Sequence, residues 1–491
     1  AAATAVGDKK AVRAVESIFL ARSGNFDRPV PNFKAFKEVL AAFLKSNCID
    51  GWLYAEERDG KMYPQLVTGI AFDTGYNNDT PTVRVHTISY GCKADRGASL
   101  AIVERSHRFT PQSVVNRRVS DILSASGLYK ETQALRQAHM ASVERHYQVT
   151  RDAFAKQFRV NGAAYYFEAE RHNRLGLEFS RRRVIHDLAA IDREPALLHA
   201  ESILFAGNPD AGGFGLVPEH PLIRVFDLST HEFFWVHADN MEPYEYDKTL
   251  RNKLILPQTH RDLLDVLTND LGAFVGDIIE GKSADNIILC KGVPGVGKTL
   301  TAEVYAELID RPLYSIRSGA LGTTAQDIEQ NLAIIFQQSK RWGCVLLLDE
   351  ADVFVIKRGD NIEQNAIVAE FLRVLEYFDG LLFMTTNRPD DIDDAILSRC
   401  AAIIDFAPPP PTDAAAIWRV MAAHYEADLS DELIWQLVAL FPQIPPRDIK
   451  LLMRLALRIT AAKKEPLTLD TFRRCAMFRA IKMQDASEQA P

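Results

Sequence analysis

The sequence predicts an α/β domain built on a parallel sheet, with an α+β region before it and a small helical domain after it. Three observations carry this prediction. Short apolar runs alternate with amphipathic helical windows between residues 257 and 407, as expected for a parallel sheet that helices cover on both faces. Residues 408–411 are four prolines, which cannot continue a helix or a central strand. Residues 412–482 then contain helical windows only.

The elements of the two C-terminal domains follow from these patterns. Five apolar runs are predicted as the strands of the sheet: residues 287–290, 313–316, 345–348, 381–385 and 402–406. Four windows are predicted as the helices of the last domain: residues 413–425, 431–440, 447–463 and 470–482. The predicted boundaries are 257–407 for the α/β domain and 408–491 for the helical domain.

The N-terminal half is predicted as one α+β domain over residues 1–245, joined to the rest by a linker at 246–256. Helices are expected at residues 9–21, 32–44 and, in a long polar stretch without proline, 112–159. Extended runs rich in β-branched and aromatic residues are expected as strands at 51–56, 63–72, 83–90, 222–228 and 232–237.

Composition places the chain among ordinary globular proteins. Of 491 residues, 47% are hydrophobic and 25% charged, which excludes a largely disordered or fibrous protein. No apolar run is long enough to span a bilayer, no secretory signal is visible, and the six cysteines form no CxxC pair. We therefore expect a cytoplasmic protein without membrane partners, disulfide framework or zinc site.

Charge divides the chain into two unlike parts. Residues 1–200 hold 29 basic against 22 acidic side chains, whereas residues 201–491 hold 28 against 43, within a net charge of −8. The mildly basic N-terminal part and the acidic C-terminal part are expected to have different roles.

The strongest motif is a glycine-rich loop that follows the first predicted strand and opens a helix. Its residues are Gly292, Val293, Pro294, Gly295, Val296, Gly297, Lys298 and Thr299, with Leu300 next. This strand–loop–helix context predicts a P-loop whose backbone N–H groups bind the phosphates of ATP. Lys298 is expected to reach the β- and γ-phosphates, and Thr299 to bind Mg²⁺. The alternative is a glycine-rich turn that carries Lys-Thr by accident.

A second motif places two carboxylates at the end of an apolar strand. Asp349 and Glu350 follow the run at 345–348. Asp349 is expected to hold Mg²⁺, and Glu350 to activate the attacking water. A solvated turn is the alternative.

Together with Thr385-Thr386-Asn387 and the stretch 395–399, these motifs resemble the AAA family of the AAA+ ATPases over about residues 255–485. The closest likeness is to a large, poorly characterised group of fungal and bacterial AAA proteins that have an unrelated N-terminal domain. The resemblance implies a P-loop NTPase of AAA+ type: a five-stranded parallel sheet, a helical lid, ATP hydrolysis with Mg²⁺, and self-association into a hexamer-like ring or helical assembly.

The resemblance also implies roles for four further residues. Asn387 matches sensor 1, which positions the attacking water, and Arg399 matches the arginine finger that acts on a neighbouring subunit's ATP. Ile278 matches the segment around the adenine, and Arg447 lies where some relatives carry the sensor 2 arginine. For Asn387 the alternative is a turn residue, and for Arg399 it is a surface arginine. For Ile278 the alternative is a core residue, and for Arg447 it is a solvated helix start.

The sequence departs from the family in the loop that is expected to contact a polypeptide client. The stretch that corresponds to the first pore loop, residues 318–324, contains no aromatic residue, and Leu321 is its only bulky side chain. Aromatic side chains supply rigid contact area, so their absence weakens the expectation that a polypeptide is threaded through a pore.

Two basic groups stand out in the N-terminal half. The first comprises Arg171, His172, Arg174, Arg181, Arg182 and Arg183, after the aromatic residues 165–167. The second comprises Arg105, His107, Arg108, Arg117 and Arg118. Such groups suit nucleic acid, but a solvated surface is the other interpretation. Phe233, Phe234 and Trp235 are expected in the core, and His237, without ligand-spaced partners, is not expected to bind metal.

Three functions remain open at this point. The main hypothesis is an oligomeric ATPase that remodels or assembles a macromolecular client, most simply a protein, chosen by the N-terminal domain. The second is a nucleic-acid motor or DNA-associated ATPase of phage or defence origin. The third is a scaffold that binds ATP with little turnover, which Glu350 and Arg399 argue against because a scaffold needs neither.

Overall fold

The computed structural model describes ten stretches of the chain: residues 24–57, 59–74, 80–92, 100–151, 153–168, 173–187, 197–199, 214–269, 286–322 and 324–484. The chain divides into two units. The first runs to Pro243, apart from residues 155–157, and the second begins at Tyr244. The helix predicted at 9–21 lies outside the described residues. Among those residues, no helix has the length and apolar character needed to cross a membrane.

An antiparallel sheet forms the first half of the first unit. Its strands are β1 (Trp52–Glu56), β2 (Met62–Asp73), β3 (Thr82–Cys92), β4 (Leu100–Phe109) and β5 (Leu128–Lys130), in the spatial order β4-β3-β2-β1-β5. The helices are α1 (Phe36–Lys45), α2 (Pro111–Val114), α3 (Val119–Ser124) and α4 (Gln133–Arg151). Phe36, Val39 and Leu40 of α1 are fully buried and pack with Val83 and Val85 of β3 in one apolar core.

A second antiparallel sheet follows. Its strands are β6 (Gln157–Glu168), β7 (Asn173–His186), β10 (Leu222–Asp227), β11 (Glu232–His237) and β12 (Met241–Pro243), and β8 (Leu197–His199) pairs with β9 (Phe214–Leu216) alone. Because β11 pairs with both β10 and β6, the strands close on themselves. Phe234 and Trp235 are buried, as predicted.

The long helix predicted over residues 112–159 is wrong. The structure has α2, α3, β5 and α4 there, and β6 begins at Gln157. Val115 is extended, and Asn116 and Gly127 adopt left-handed backbone conformations with φ of 64° and 66°. These conformations end a helix. The chain therefore turns at residues where the pattern of polar residues alone predicts one continuous helix.

The second unit has the predicted five-stranded parallel sheet. Its strands are β13 (Ile287–Gly292), β14 (Leu313–Arg317), β15 (Val345–Asp349), β16 (Leu382–Thr386) and β17 (Ala402–Phe406), in the order β14-β15-β16-β13-β17. The accompanying helices are α5 (Gln258–Asn269), α6 (Lys298–Leu308), α7 (Ala325–Trp342), α8 (Asp352–Val355), α9 (Ile362–Leu375) and α10 (Asp394–Leu397). The polar ends of β15 and β16 lie beside the loop that follows β13, since these strands are neighbours.

Four helices follow the sheet and form the lid. They are α11 (Pro411–His424), α12 (Asp431–Leu440), α13 (Pro446–Lys463) and α14 (Leu469–Met477). Trp418 and Phe472 are fully buried and meet edge to face at 5.5 Å in their core.

The segment expected as a linker is built into the second unit. Residues Lys248–Lys253 form a 3-10 helix, and Leu254 and Leu256 are buried in the same core as the strands of the sheet. The Tyr244 hydroxyl donates to Glu307 Oε1 at 2.6 Å, on the last turns of α6. The stretch directly before α5 is therefore packed and hydrogen-bonded.

Candidate active site

The loop between β13 and α6 has backbone conformations that favour glycine. Gly292, Gly295 and Gly297 have φ of 144°, 86° and 106°, in the region that L side chains rarely adopt. A Cβ at Gly292 would lie 2.1 Å from the Phe406 carbonyl oxygen on β17. Gly297 is the N-cap of α6, so the loop ends at the positive end of a helix.

The Lys298 side chain folds under this loop. Its Nζ donates to the carbonyl oxygens of Gly292 at 2.7 Å and Val293 at 2.8 Å, and to Asn387 Oδ1 at 2.9 Å. Burial lowers the pKa of the ammonium, and the carboxylates of Asp352 and Asp349 oppose that shift. Because all three N–H donors are used, the site holds lysine in its charged form.

Two hydroxyl groups converge on the carboxylate at the end of β15. Thr299 Oγ1 donates to Asp349 Oδ1 at 2.8 Å, and Thr385 Oγ1 donates to the same oxygen at 2.7 Å. Thr385 Oγ1 also accepts from the Glu350 backbone N–H at 2.9 Å. Carboxylate and hydroxyl oxygens are ligands that suit Mg²⁺, so Thr299 and Asp349 together could hold the ion.

Glu350 has an unusual backbone. Its φ of 55° is left-handed, which costs energy for a residue with a side chain. The carboxylate is exposed and lines the cleft beside the loop. The hydrogen bond from its N–H to Thr385 holds this conformation.

A cleft of about 620 Å³ lies between the loop and the lid. The Arg447 backbone N–H donates to the Gly295 carbonyl oxygen at 3.1 Å, which ties α13 to the loop. The predicted residues that line the cleft are Pro294, Gly295, Gly297, Lys298, Thr299, Leu300, Asp349, Glu350, Asn387 and Arg447. The structure therefore brings together motifs separated by about 150 positions.

Other predicted residues lie elsewhere. Gly292, Val293 and Val296 do not line the cleft, and the Val296 side chain is buried in the core. Ile278 lies outside the described residues. Arg399 is also not among the cleft-lining residues that the structure describes; its guanidinium donates to the Ala395 carbonyl oxygen at 3.1 Å and lies 3.6 Å from Glu376.

Apolar and basic residues that were not predicted from the sequence form one wall of the cleft. This wall consists of Leu250, Lys253, Val420, Met421, His424 and Lys450. Lys450 follows Arg447 by three positions on α13, so helical spacing could have found it. Leu250 and Lys253 belong to the segment expected as a linker, whose packing no local pattern signals.

Residues 318–324, which were expected to correspond to the first pore loop, contain no large exposed side chain among those that the structure describes. Residues Ser318–Leu321 form a 3-10 helix, and the Leu321 side chain is fully buried. Thr323 lies outside the described residues. The one large side chain of the stretch is therefore part of the core of the second unit.

Several basic side chains of the first unit are engaged in ion pairs. Arg182 lies 3.3 Å from the fully buried carboxylate of Asp227, and Arg105 lies 3.8 Å from Glu57 and donates to Ser89. Arg108, Arg117 and Arg118 are exposed. Arg171 and His172 lie outside the described residues, as does the Arg174 side chain. Tyr165 is buried, so it cannot stack on a base.

Residues 288–408 match the ATPase family associated with various cellular activities (AAA). An "Uncharacterized AAA family ATPase y4kL" from Sinorhizobium fredii is 28% identical over 35% of this chain and 56% of its own length. An "ATPase family gene 2 protein homolog B" from Rattus norvegicus is 28% identical over 44% of this chain and 28% of its own length. The chain thus spans about half or less of these relatives.

Among solved structures, the crystal structure of the FIGL-1 AAA domain in complex with ADP is similar. It has a TM-score of 0.39 and 18% sequence identity, over 48% of this chain and 85% of that one.

Proposed function

We propose that this chain, whose residues 288–408 match the AAA ATPase family, hydrolyses ATP with Mg²⁺ between the subunits of a ring or helical assembly. The proposal rests chiefly on one observation. Lys298 donates to Asn387 and to the loop, Thr299 donates to Asp349, all at 2.7–2.9 Å, and the four residues line one cleft.

The residues present fit a magnesium-bound nucleotide. Glycines at positive φ let the loop turn tightly, so that backbone N–H groups of the loop and of the start of α6 would bind phosphate oxygens. Lys298 would exchange its carbonyl partners for phosphate oxygens, and Thr299 and Asp349 would hold Mg²⁺. Bound Mg²⁺ neutralises negative charge on the phosphate oxygens. Arg447 and the apolar wall of the cleft would contact the nucleoside, and Ile278 remains a prediction for the adenine.

Glu350 and Asn387 would act on the attacking water. The exposed Glu350 carboxylate would accept its proton, and the Asn387 amide would orient it. The strained backbone of Glu350 supports this role, since such strain is held where geometry matters.

Arg399 would act on the ATP of a neighbouring subunit. Within one chain its guanidinium is held by Ala395 and Glu376 rather than at the cleft. A guanidinium supplied from outside would stabilise charge on the transferring phosphoryl group, so turnover requires assembly.

The first unit would choose the client, which we take to be a protein. A pore stretch without an exposed large side chain among residues 318–322 and 324 favours remodelling or assembly of the client over threading. The ion pairs of Arg182 and Arg105 reduce the positive charge available to nucleic acid.

Phosphate release from the purified chain tests the enzyme, with and without Mg²⁺, beside the Lys298→Ala variant. Turnover that needs Mg²⁺ and is lost in Lys298→Ala supports the proposal. Sedimentation with a slowly hydrolysed ATP analogue tests assembly. A chain that stays monomeric and binds no nucleotide contradicts both parts.

DNA binding separates the client classes. Fluorescence anisotropy with single- and double-stranded DNA at about 50 mM salt should show no binding, whereas a nucleic-acid motor would bind with a steep salt dependence. Stimulation of ATP hydrolysis by DNA would overturn the protein client.

A further inference from the structure

Two consecutive threonines at the end of β16 are hydrogen-bonded to different carboxylates. Thr385 lines the cleft and bonds to Asp349. Thr386 points to the other side of the strand, as alternation requires, and its hydroxyl is fully buried with a partner that belongs to neither motif of the site.

That partner is Asp352, the first residue of α8. Its Oδ1 accepts from Thr386 Oγ1 at 2.6 Å and from the Asn387 backbone N–H at 3.0 Å. Thr386 Oγ1 in turn accepts from the Arg388 N–H at 3.1 Å. One carboxylate oxygen thus holds Thr386, the last residue of β16, and Asn387 directly, and Arg388 through the Thr386 hydroxyl.

These bonds determine where the Asn387 amide lies. Its main chain is held by Asp352, and its Oδ1 accepts from Lys298 at 2.9 Å. Hydrogen bonds to a charged, half-buried acceptor are among the strong ones. Without the carboxylate, two donors at the strand end would lose their partner, and the turn after β16 could relax.

We propose that Asp352 is a positioning residue that holds Asn387 in place for ATP hydrolysis. The inference rests on the role proposed for Asn387. Asp352 does not itself line the cleft, so it acts through the end of β16 rather than on the nucleotide.

Steady-state ATP hydrolysis by the full chain tests this inference in Asp352→Ala, Asp352→Asn, Asn387→Ala and the double variant with both alanines. Asp352→Ala should lower kcat about tenfold or more, because small displacements of a positioned group are costly, while KM for ATP changes less than about twofold. Asp352→Asn keeps an acceptor at Oδ1 and should retain most of the turnover. In the Asn387→Ala background, Asp352→Ala should not lower kcat any further.

Asp413→Ala is the matched control. Like Asp352, Asp413 is a half-buried aspartate in the first turn of a helix and does not line the cleft, but it lies on α11 and not on α8. It should keep normal turnover. Thermal unfolding shows whether each variant is folded. If Asp352→Ala does not fold, the turnover of Asp352→Asn tests the inference.

Three results would overturn the inference. If Asp352→Ala is folded and has a normal kcat while Asn387→Ala has lost turnover, Asp352 does not position Asn387, and the role proposed for Asn387 still stands. Equal losses in Asp352→Asn and Asp352→Ala assign the effect to charge and not to positioning. Normal turnover in Asn387→Ala removes the proposed role of Asn387, and the inference with it.

Discussion

Two pairs of carboxylates, one pair in each unit, have opposite roles. In the first, Asp187 and Asp227 are fully buried and lie 3.0 and 3.3 Å from Arg224 and Arg182. In the second, Asp349 ends a strand beside an open cleft and accepts hydrogen bonds from the Thr299 and Thr385 hydroxyls, and Glu350 follows it with an exposed carboxylate. A carboxylate paired with arginine supports the fold, whereas one that faces an open cleft can bind Mg²⁺ or take a proton.

The largest expected effect comes from the open carboxylate. Glu350→Gln should lower ATP turnover by about ten-thousandfold, because the amide cannot accept the proton of water, while ATP binding persists. Phosphate release and binding of a fluorescent ATP analogue measure the two quantities. Turnover that survives the change would show that Glu350 is not the base.

Arg399→Ala should also lower turnover strongly, on the order of the thousandfold effects of arginine fingers. The distinguishing measurement is a mixture with Lys298→Ala subunits, which cannot bind phosphates but still present Arg399. Partial recovery of phosphate release in the mixture supports action between subunits, and an unchanged rate in Arg399→Ala alone excludes it.

In the first unit, the same type of side chain should affect folding instead. Asp227→Ala removes the partner of Arg182 and of the Ser229 N–H and Thr230 hydroxyl. The free energy of opening of β10, measured by hydrogen exchange, should fall by about 3 kcal/mol. The exposed Glu232 is the control, since Glu232→Ala should change it by less than about 0.5 kcal/mol. ATP turnover that falls instead of protection would contradict the comparison.

A further effect is a pH dependence of the stability of the first unit. Burial lowers the pKa of His139, His186 and His237 to about 4, from 6.5 in the unfolded chain. The unfolded chain therefore takes up protons first, so the stability these residues contribute is complete above pH 6.5 and is lost as the pH falls towards 4.

Hydrogen exchange of β10 and β11 between pH 7 and 4.5 should show that loss, after correction for intrinsic exchange rates. Replacement of His186 by Phe should reduce it. Constant protection over this range would mean that these imidazoles titrate alike in both states.

Prediction from sequence succeeded where a short motif specifies its own backbone. The residues from Gly292 to Thr299 require a particular loop, and the apolar runs around them require a covered parallel sheet, which the structure has. The cleft wall formed by Leu250 and His424 could not be predicted, because it depends on how separate elements pack.

The N-terminal half resisted prediction for the same reason. Its arginines form a basic group in the sequence, but Arg182 meets its carboxylate 45 positions away, on another strand. The turns at Asn116 and Gly127 interrupt a pattern of polar residues that also fits a helix. Long-range pairing and single left-handed residues decide such regions, and neither has a periodic signature.

The contact between Gly292 and β17 has a mechanical consequence. Gly292 pairs with Phe406, and the first helix of the lid begins only five residues later, at Pro411. The far side of the lid is fastened to the same loop through the Arg447 N–H and the Gly295 carbonyl. The lid is thus hinged on the loop at two points, so any swing of the lid pulls on the backbone that would cradle the nucleotide.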